Sequence, residues 1–384
     1  MEPQITKNTF CTYTGTQSES DTTVFFVSGN PGLIGYYHPF LSLLAQHLVD
    51  GSQLQTQTET SSTTKKTSIQ IYGCSLGGFD IPSDAEHNIG QNGKDGEHSA
   101  NDRLYDLEDQ IRFVHRKLVD LMNLNNNSTD NASAESKSGS GSFAPAPKRK
   151  VILIGHSVGA YIAMEVLRRH REGIPDIETL SPEPGHGKDL ADSVSSSSFD
   201  IIGGVMLFPT VKDIAHSPSG QKLTALLSFL PQLALIVSFF ARILTSVLPS
   251  STLKSVVRFV MRNPPAHGLD TTFEFLKSSG GVRQALHMAA DEMRTITSDK
   301  WTDDVWGVGC TSEPIIRLFF YFGKNDHWVA EKTRDEVIAL RGREEGLGPK
   351  MFVCEEGLPH AFCLKHSDVM AQKVAKMIRD MVQR

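Results

Sequence analysis

A helix-covered, mostly parallel α/β sheet is the fold class this chain predicts, and three observations predict it. Short β-branched and aromatic runs recur along the sequence, they are almost continuously apolar, and helical patterns alternate with them. Continuous apolarity marks strands buried on both faces, as in a parallel sheet. Alternation of such strands with helices is the pattern of a sheet wrapped by helices. Strands are expected at 22–28 (TTVFFVS), 68–73 (SIQIYG), 150–155 (KVILIG), 201–208 (IIGGVMLF), 315–322 (IIRLFFYF) and 350–354 (KMFVC). Helices are expected at 36–49, 105–124, 159–171, 331–340 and 367–383.

The chain has 384 residues, and only 39% are hydrophobic. An average globular chain carries about 45–50% apolar residues with Gly counted. Part of the length is therefore polar insertion, and one domain over 1–384 is the expected organisation. Four stretches, 51–67, 83–102, 123–148 and 172–198, have the Ser, Thr, Asn, Gly and Pro content of such insertions. They carry too little apolar surface to offset chain entropy. Each falls between a strand and a helix, where such sheets tolerate extra loop.

The net charge of −6 argues against a nucleic-acid partner. Cys11, Cys74, Cys310, Cys354 and Cys363 are scattered, without a CxxC pair or a Cys/His cluster. No disulfide framework, structural metal or cofactor is expected, and a reducing compartment fits. The polar N-terminus, MEPQITKNTF, lacks the apolar stretch of a secretory signal, so the protein is expected not to be secreted.

GxSxG occurs twice, around Ser75 and around Ser157. A nucleophilic serine of this kind needs a sharp strand-to-helix turn with small neighbours. Ser75 leads into GGFDIPSD, where glycines, Asp80 and Pro82 oppose an immediate helix. Ser157 follows KVILI and opens into VGAYIAMEVLRRHRE, with apolar residues at helical spacing. Ser157 is the expected nucleophile and Ser75 a polar turn. Attack on an ester carbonyl creates an oxyanion that two N–H donors must stabilise. The backbone N–H of Val158 is one candidate. The N–H of Asn30, in the SGNPG loop after the first expected strand, is the other, because Pro31 has none. His360 lies just past the last expected strand and before the last helix, where this kind of sheet would present a base. Asp326 directly follows the strand at 315–322 and is the expected acid. Asp213, after the preceding strand, is the alternative.

Taken together, VSGNPGLIGYYHPFL, YDLEDQIRFVHRKL, LIGHSVGAYIAMEVL, MLFPT, FYFGKNDHW and EEGLPHAFCL resemble the lipid droplet-associated hydrolase family of α/β-hydrolases. The resemblance runs from about Thr22 to the C-terminus and is interrupted by the four insertions. It implies an α/β-hydrolase fold and serine ester hydrolysis of neutral lipids, sterol esters among them. It also implies residence at lipid droplets and on the cytosolic face of the endoplasmic reticulum. Ser157, Asp326 and His360 match the family's nucleophile, acid and base.

One segment breaks the strand–helix alternation. Residues 223–248 read LTALLSFLPQLALIVSFFARILTSVL, and 18 of the 26 are apolar. The stretch 214–269 has no Asp or Glu but holds Lys222, Arg242, Lys254, Arg258 and Arg262. It lies between the strands at 201–208 and 315–322, within a cap region expected at 211–312. Pro231, Gln232 and Arg242 interrupt the run, which falls short of the ~20 residues a membrane span needs. A monotopic segment is expected, with Leu230, Leu233, Ile236, Phe239 and Phe240 entering a phospholipid monolayer. The resulting expectation is an ester hydrolase working through an acyl-enzyme on Ser157. An acyltransferase on the same residues and a droplet coat protein on a hydrolase fold are the alternatives.

Overall fold

Eight strands form one sheet in the order β1-β2-β4-β3-β5-β6-β7-β8. They are β1 (Gln4–Ile5), β2 (Thr9–Tyr13), β3 (Ser20–Val27), β4 (Ser68–Cys74), β5 (Arg149–His156), β6 (Phe199–Leu207), β7 (Arg317–Phe322) and β8 (Lys350–Val353). Every pair from β4 across to β8 is parallel, and β1 and β2 add an antiparallel edge beside β4. The computed structural model describes residues 2–16, 20–56, 68–81, 103–134, 148–174, 199–230, 232–308, 316–342 and 348–382.

The apolar strands are buried on both faces, and their side chains alternate between two cores. Phe25, Val27, Val151, Leu153, Phe320 and Phe322 enter one core. Val24, Phe26, Ile152, Ile154, Phe319 and Tyr321 enter the other. Period-two alternation with no polar face is what a helix-sandwiched sheet requires. Helices α2 (Leu107–Ala134) and α3 (Val158–Glu172) supply Leu118, Met122, Ile162 and Val166 to the first core. Helices α1 (His38–Thr56) and α11 (Ser367–Val382) supply Leu41, Leu44, Val374 and Ile378 to the second. Gly173 ends α3 in the left-handed conformation, and its N–H donates to Arg169 O.

Six of the eight strands lie where the sequence places them. The pair β1–β2 was not expected, because two- and five-residue strands are too short to show a period. Helices α1 and α2 also run further than expected, so 51–56 and 123–134 are helical rather than open insertion. Once a helix is nucleated, each added residue gains a hydrogen bond, and polar residues oppose this only weakly. The stretch 83–102, residues 57–67, residues 135–147 and residues 175–198 lie outside the described residues.

Between β6 and β7 come five described helices: α4 (Pro218–Phe229), α5 (Leu233–Val247), α6 (Ser250–Val260), α7 (Ala266–Lys277) and α8 (Gly281–Thr295). Ser217 caps α4, its Oγ accepting from Gly220 N–H, with Pro218 in the first turn. Two further short helices, α9 (Glu331–Arg341) and α10 (Phe362–Lys365), follow β7 and β8.

Helix α5 is turned inside out relative to an ordinary surface helix. Small residues, Ala234, Ser238, Ala241 and Thr245, fall at a 4-3-4 spacing on its less exposed face. Leu235, Ile236, Val237, Phe239, Phe240, Ile243 and Leu244 are exposed, as are Phe229 and Leu230 before it and Phe259 and Val260 after it. Leu233 differs from expectation. It begins α5 directly after a 93° bend from α4, and its side chain is buried at that corner rather than presented outward. Lys254 also does not project freely, since Nζ pairs with Asp270 at 2.8 Å and lies over the Phe273 ring. Among the described residues no single helix is long and apolar enough to cross a membrane.

Candidate active site

The C-terminal ends of β3, β5, β7 and β8 meet at one edge of the sheet, where open α/β sheets hold their ligands. Ser157 stands between β5 and α3 with φ 57° and ψ −126°. A positive φ is strained for a residue with a Cβ, and the turn is kept by its neighbours. A Cβ on Gly155 would lie 2.4 Å from Gly159 O, and one on Gly159 would lie 2.4 Å from Val27 O. Only glycine lets this turn pack so closely against β3.

His360 Nε2 is 2.9 Å from Ser157 Oγ, and His360 Nδ1 lies 2.7 and 2.9 Å from the two Asp326 oxygens. A carboxylate only accepts, so Nδ1 carries the proton and Nε2 offers its lone pair to the serine hydroxyl. Asp326 is buried, and Trp328 N–H donates to its Oδ1 at 2.8 Å, which fixes the carboxylate plane. The arrangement can deprotonate Ser157 as it attacks a carbonyl and hold the resulting imidazolium beside a fixed anion.

Asp213 is elsewhere. It occupies a left-handed turn and pairs with Lys212 at 3.9 Å and His216 at 3.6 Å. Ser75 is buried and accepts from Ile34 N–H at 3.2 Å, pinning the segment after the Asn30 loop. Val158 starts α3, where an amide lacks an intrahelical acceptor.

Further residues in this site went unassigned by sequence reasoning. His156 is fully buried between the Asn30 loop and the His360 loop. Its Nε2–H donates to His360 O at 2.9 Å, because a carbonyl can only accept. Nδ1 is therefore the acceptor, and Tyr37 O–H donates to it at 2.7 Å. The Tyr37 oxygen in turn accepts from Gly29 N–H at 3.3 Å. Burial, with His360 nearby, holds the His156 pKa well below 6.5, so this ring is neutral. Gly29 N–H is committed and Pro31 has none, and among the described residues no hydrogen bond engages the Asn30 N–H. The Asn30 side chain is itself fixed, Nδ2 donating to Ala285 O and to Glu292 Oε1, both at 2.9 Å. Nothing marked Glu292 in advance, because a glutamate in AADEM reads as the solvated side of a helix. His156 sits inside the GHS triplet, the one signal that could have raised it.

Ser157 and His360 open onto a cavity of about 490 Å³ walled mainly by apolar side chains, including Ile214, Leu223, Met261, Leu286 and Leu364. Among the described residues, no group of three or more His, Cys, Asp or Glu side chains is placed to hold a metal ion.

Comparison with known proteins gives a consistent family. The sequence model for lipid-droplet associated hydrolases matches residues 20–363. A lipid droplet-associated hydrolase of Gallus gallus is 28% identical over 233 residues, covering 60% of this chain and 59% of that protein. The shared stretch thus takes in less than two thirds of the chicken protein's length. That of Mus musculus is 23% identical over 364 residues, covering 94% of this chain and 86% of that protein. Among solved structures, the peroxisomal α/β-hydrolase Lpx1 of Saccharomyces cerevisiae is 12% identical with a TM-score of 0.49, covering 98% of this chain and 82% of that one. The family match runs from the first residue of β3 into α10, just past His360, the span that builds the parallel part of the sheet and the site, and the chain belongs to the lipid-droplet associated hydrolase family.

Proposed function

We propose that the chain is a serine hydrolase that cleaves carboxylic esters of neutral lipids at the surface of lipid droplets and on the cytosolic face of the endoplasmic reticulum. The observation that carries this reading is the unbroken Asp326–His360–Ser157 hydrogen-bond chain at the wall of an apolar cavity. His360 Nε2 takes the hydroxyl proton as Ser157 Oγ attacks the ester carbonyl. The N–H groups of Val158 and Asn30 receive the oxyanion. As the tetrahedral intermediate collapses, His360 returns the proton to the leaving alcohol and the acyl group stays on Ser157. Water, deprotonated by the same imidazole, then releases the free acid. His156 and Tyr37 tie the Asn30 loop to the His360 loop, so donors and base keep one mutual geometry.

The outward apolar face of α4–α6 supports docking on a phospholipid monolayer through Leu230, Ile236, Phe239 and Phe240, joined by Phe229 and Phe259. The test of catalysis is labelling by a fluorophosphonate probe together with release of fatty acid. Ser157→Ala loses both, whereas Ser75→Ala keeps the labelling. Labelling that persists in Ser157→Ala refutes the assignment.

A further inference from the structure

We infer that Glu292 is a substrate-reading residue of this cavity, selecting esters that bear a free hydroxyl two or three bonds from the scissile group, as a partial glyceride does, over wholly apolar esters such as those of sterols. The inference rests on the ester-hydrolase reading above and names its substrate class.

Glu292 lies on α8, is only 5% exposed, and lines the same cavity as Ser157 and His360. Its Oε1 accepts from Asn30 Nδ2 at 2.9 Å. Both hydrogens of that amide are then used, one on Ala285 O and one on Glu292. Among the described residues no hydrogen bond reaches Oε2. Asn30 Oδ1 and Trp328 Nε1 are open too, but on half-buried residues, while the buried polar groups of the wall other than Glu292 are engaged. Tyr36 Oη is 2.8 Å from Thr272 Oγ1, Tyr37 and both His156 nitrogens have partners, and His360 belongs to the catalytic chain. His327 also lines the cavity but is exposed. Among the described residues, Glu292 Oε2 is thus a polar atom on a buried side chain of the wall that is left for a ligand.

Its chemistry suits a hydroxyl. Burial, with Asp291 adding to it and the Asn30 amide opposing, raises the Glu292 carboxyl to about 8. At neutral pH the group is a carboxylic acid, and with Oε1 accepting from Asn30 the proton sits on Oε2. That O–H both donates and accepts, the complement of an alcohol O–H. Its position follows from its partner. Glu292 bonds directly to the side chain of Asn30, whose backbone N–H is assigned to the oxyanion, so the group it reads lies within a few bonds of the reacting carbonyl. A glycerol ester with a free neighbouring hydroxyl meets that demand, and so does a 2-hydroxyacyl chain. A sterol ester offers only hydrocarbon there and leaves a buried polar group without a partner.

The test compares 1-monooleoylglycerol, propyl oleate and propyl 2-hydroxyoleate, each dispersed in the same phospholipid emulsion. The intact protein should favour monooleoylglycerol over propyl oleate in kcat/KM by about 10–100-fold. Glu292→Gln, which keeps an acceptor for Asn30 and a donor toward the cavity, should retain that ratio. Glu292→Met should bring it within about twofold. Preference for propyl 2-hydroxyoleate alone would move the hydroxyl to the acyl side. Equal loss on all three esters with the ratio intact would overturn the inference, leaving Glu292 as an anchor for Asn30. A second measurement needs neither turnover nor a Glu292 variant. In Ser157→Ala, 1-O-oleylglycerol should perturb Trp328 fluorescence at about tenfold lower concentration than oleyl propyl ether. Equal affinities overturn the inference. Discrimination in binding without hydrolysis by the intact protein overturns the ester-hydrolase reading alone.

Discussion

The outward face of α4–α6 allows the docking reading to be worked as a magnitude. Phe229, Phe239, Phe240 and Phe259 are 84%, 61%, 63% and 85% exposed. Scaled by those exposures, the four rings amount to about three fully exposed side chains. At about 1.5–3 kcal/mol for each burial, their insertion contributes about 4–9 kcal/mol. Replacing all four by Ser should then lower partitioning onto lipid by at least about a thousandfold, since each 1.4 kcal/mol is tenfold. The basic residues weigh less. Arg258 and Arg262 contribute about 1 kcal/mol each near an anionic surface, less in salt, and Lys254 is held by Asp270. The assay is flotation of the purified, tagged protein with phospholipid-coated triolein droplets at low and high salt. The intact protein should float at both, the Arg258→Gln/Arg262→Gln variant should float with a salt-sensitive loss, and the four-Ser variant should stay in the dense fractions. Because these side chains leave the core untouched, denaturant midpoints of the variants should stay close to that of the parent. Undiminished flotation of the four-Ser variant at high salt refutes the reasoning.

Two further outcomes are expected. Asp326→Asn should lower kcat by about 10⁴-fold, the size of the loss when a buried orienting carboxylate goes, and Asp213→Asn should change it little; initial rates on a short-chain ester would check the ranking. Acid stability should follow buried histidines. Burial, aided by nearby histidines, lowers His38 and His170 to about 4, while unfolded histidine titrates near 6.5. Between those values the unfolded chain binds more protons, so stability is lost as pH falls from about 6.5 through about 4. Urea midpoints across that range should fall less steeply in the His38→Gln/His170→Gln protein.

Much of the site is legible in sequence because its residues sit at punctuation. Ser157 lies between a continuous apolar run and a helical period, and Asp326 and His360 each follow a strand. What escapes is whatever depends on a contact between distant segments. Glu292 is 262 positions from Asn30, and no local pattern ties them. His156 could be seen inside GHS, yet its two partners come from the loops after other strands. The inward turn of Leu233 was hidden for another reason. The three-residue spacing of Leu230, Leu233, Ile236 and Phe239 puts Leu233 on the outward face, and only the bend between α4 and α5 turns it in, while in α5 the small residues, not the large ones, meet the protein. The edge strands β1 and β2 were lost to brevity, and the extensions of α1 and α2 to polar residues whose helical disadvantage is small.

Leu223 and Met261 belong to the stretch that carries the exposed apolar helices, and both also wall the cavity that contains Ser157. On the docking reading proposed above, entrance and mooring are made from one piece of chain. On that reading an ester passes from the monolayer into a cavity walled mainly by apolar side chains and sheds little hydration on the way. The quantity that would govern turnover is then areal: the mole fraction of ester in the monolayer, not its amount per litre. Diluting the surface with inert phospholipid slows such an enzyme even when no substrate has been removed from the tube.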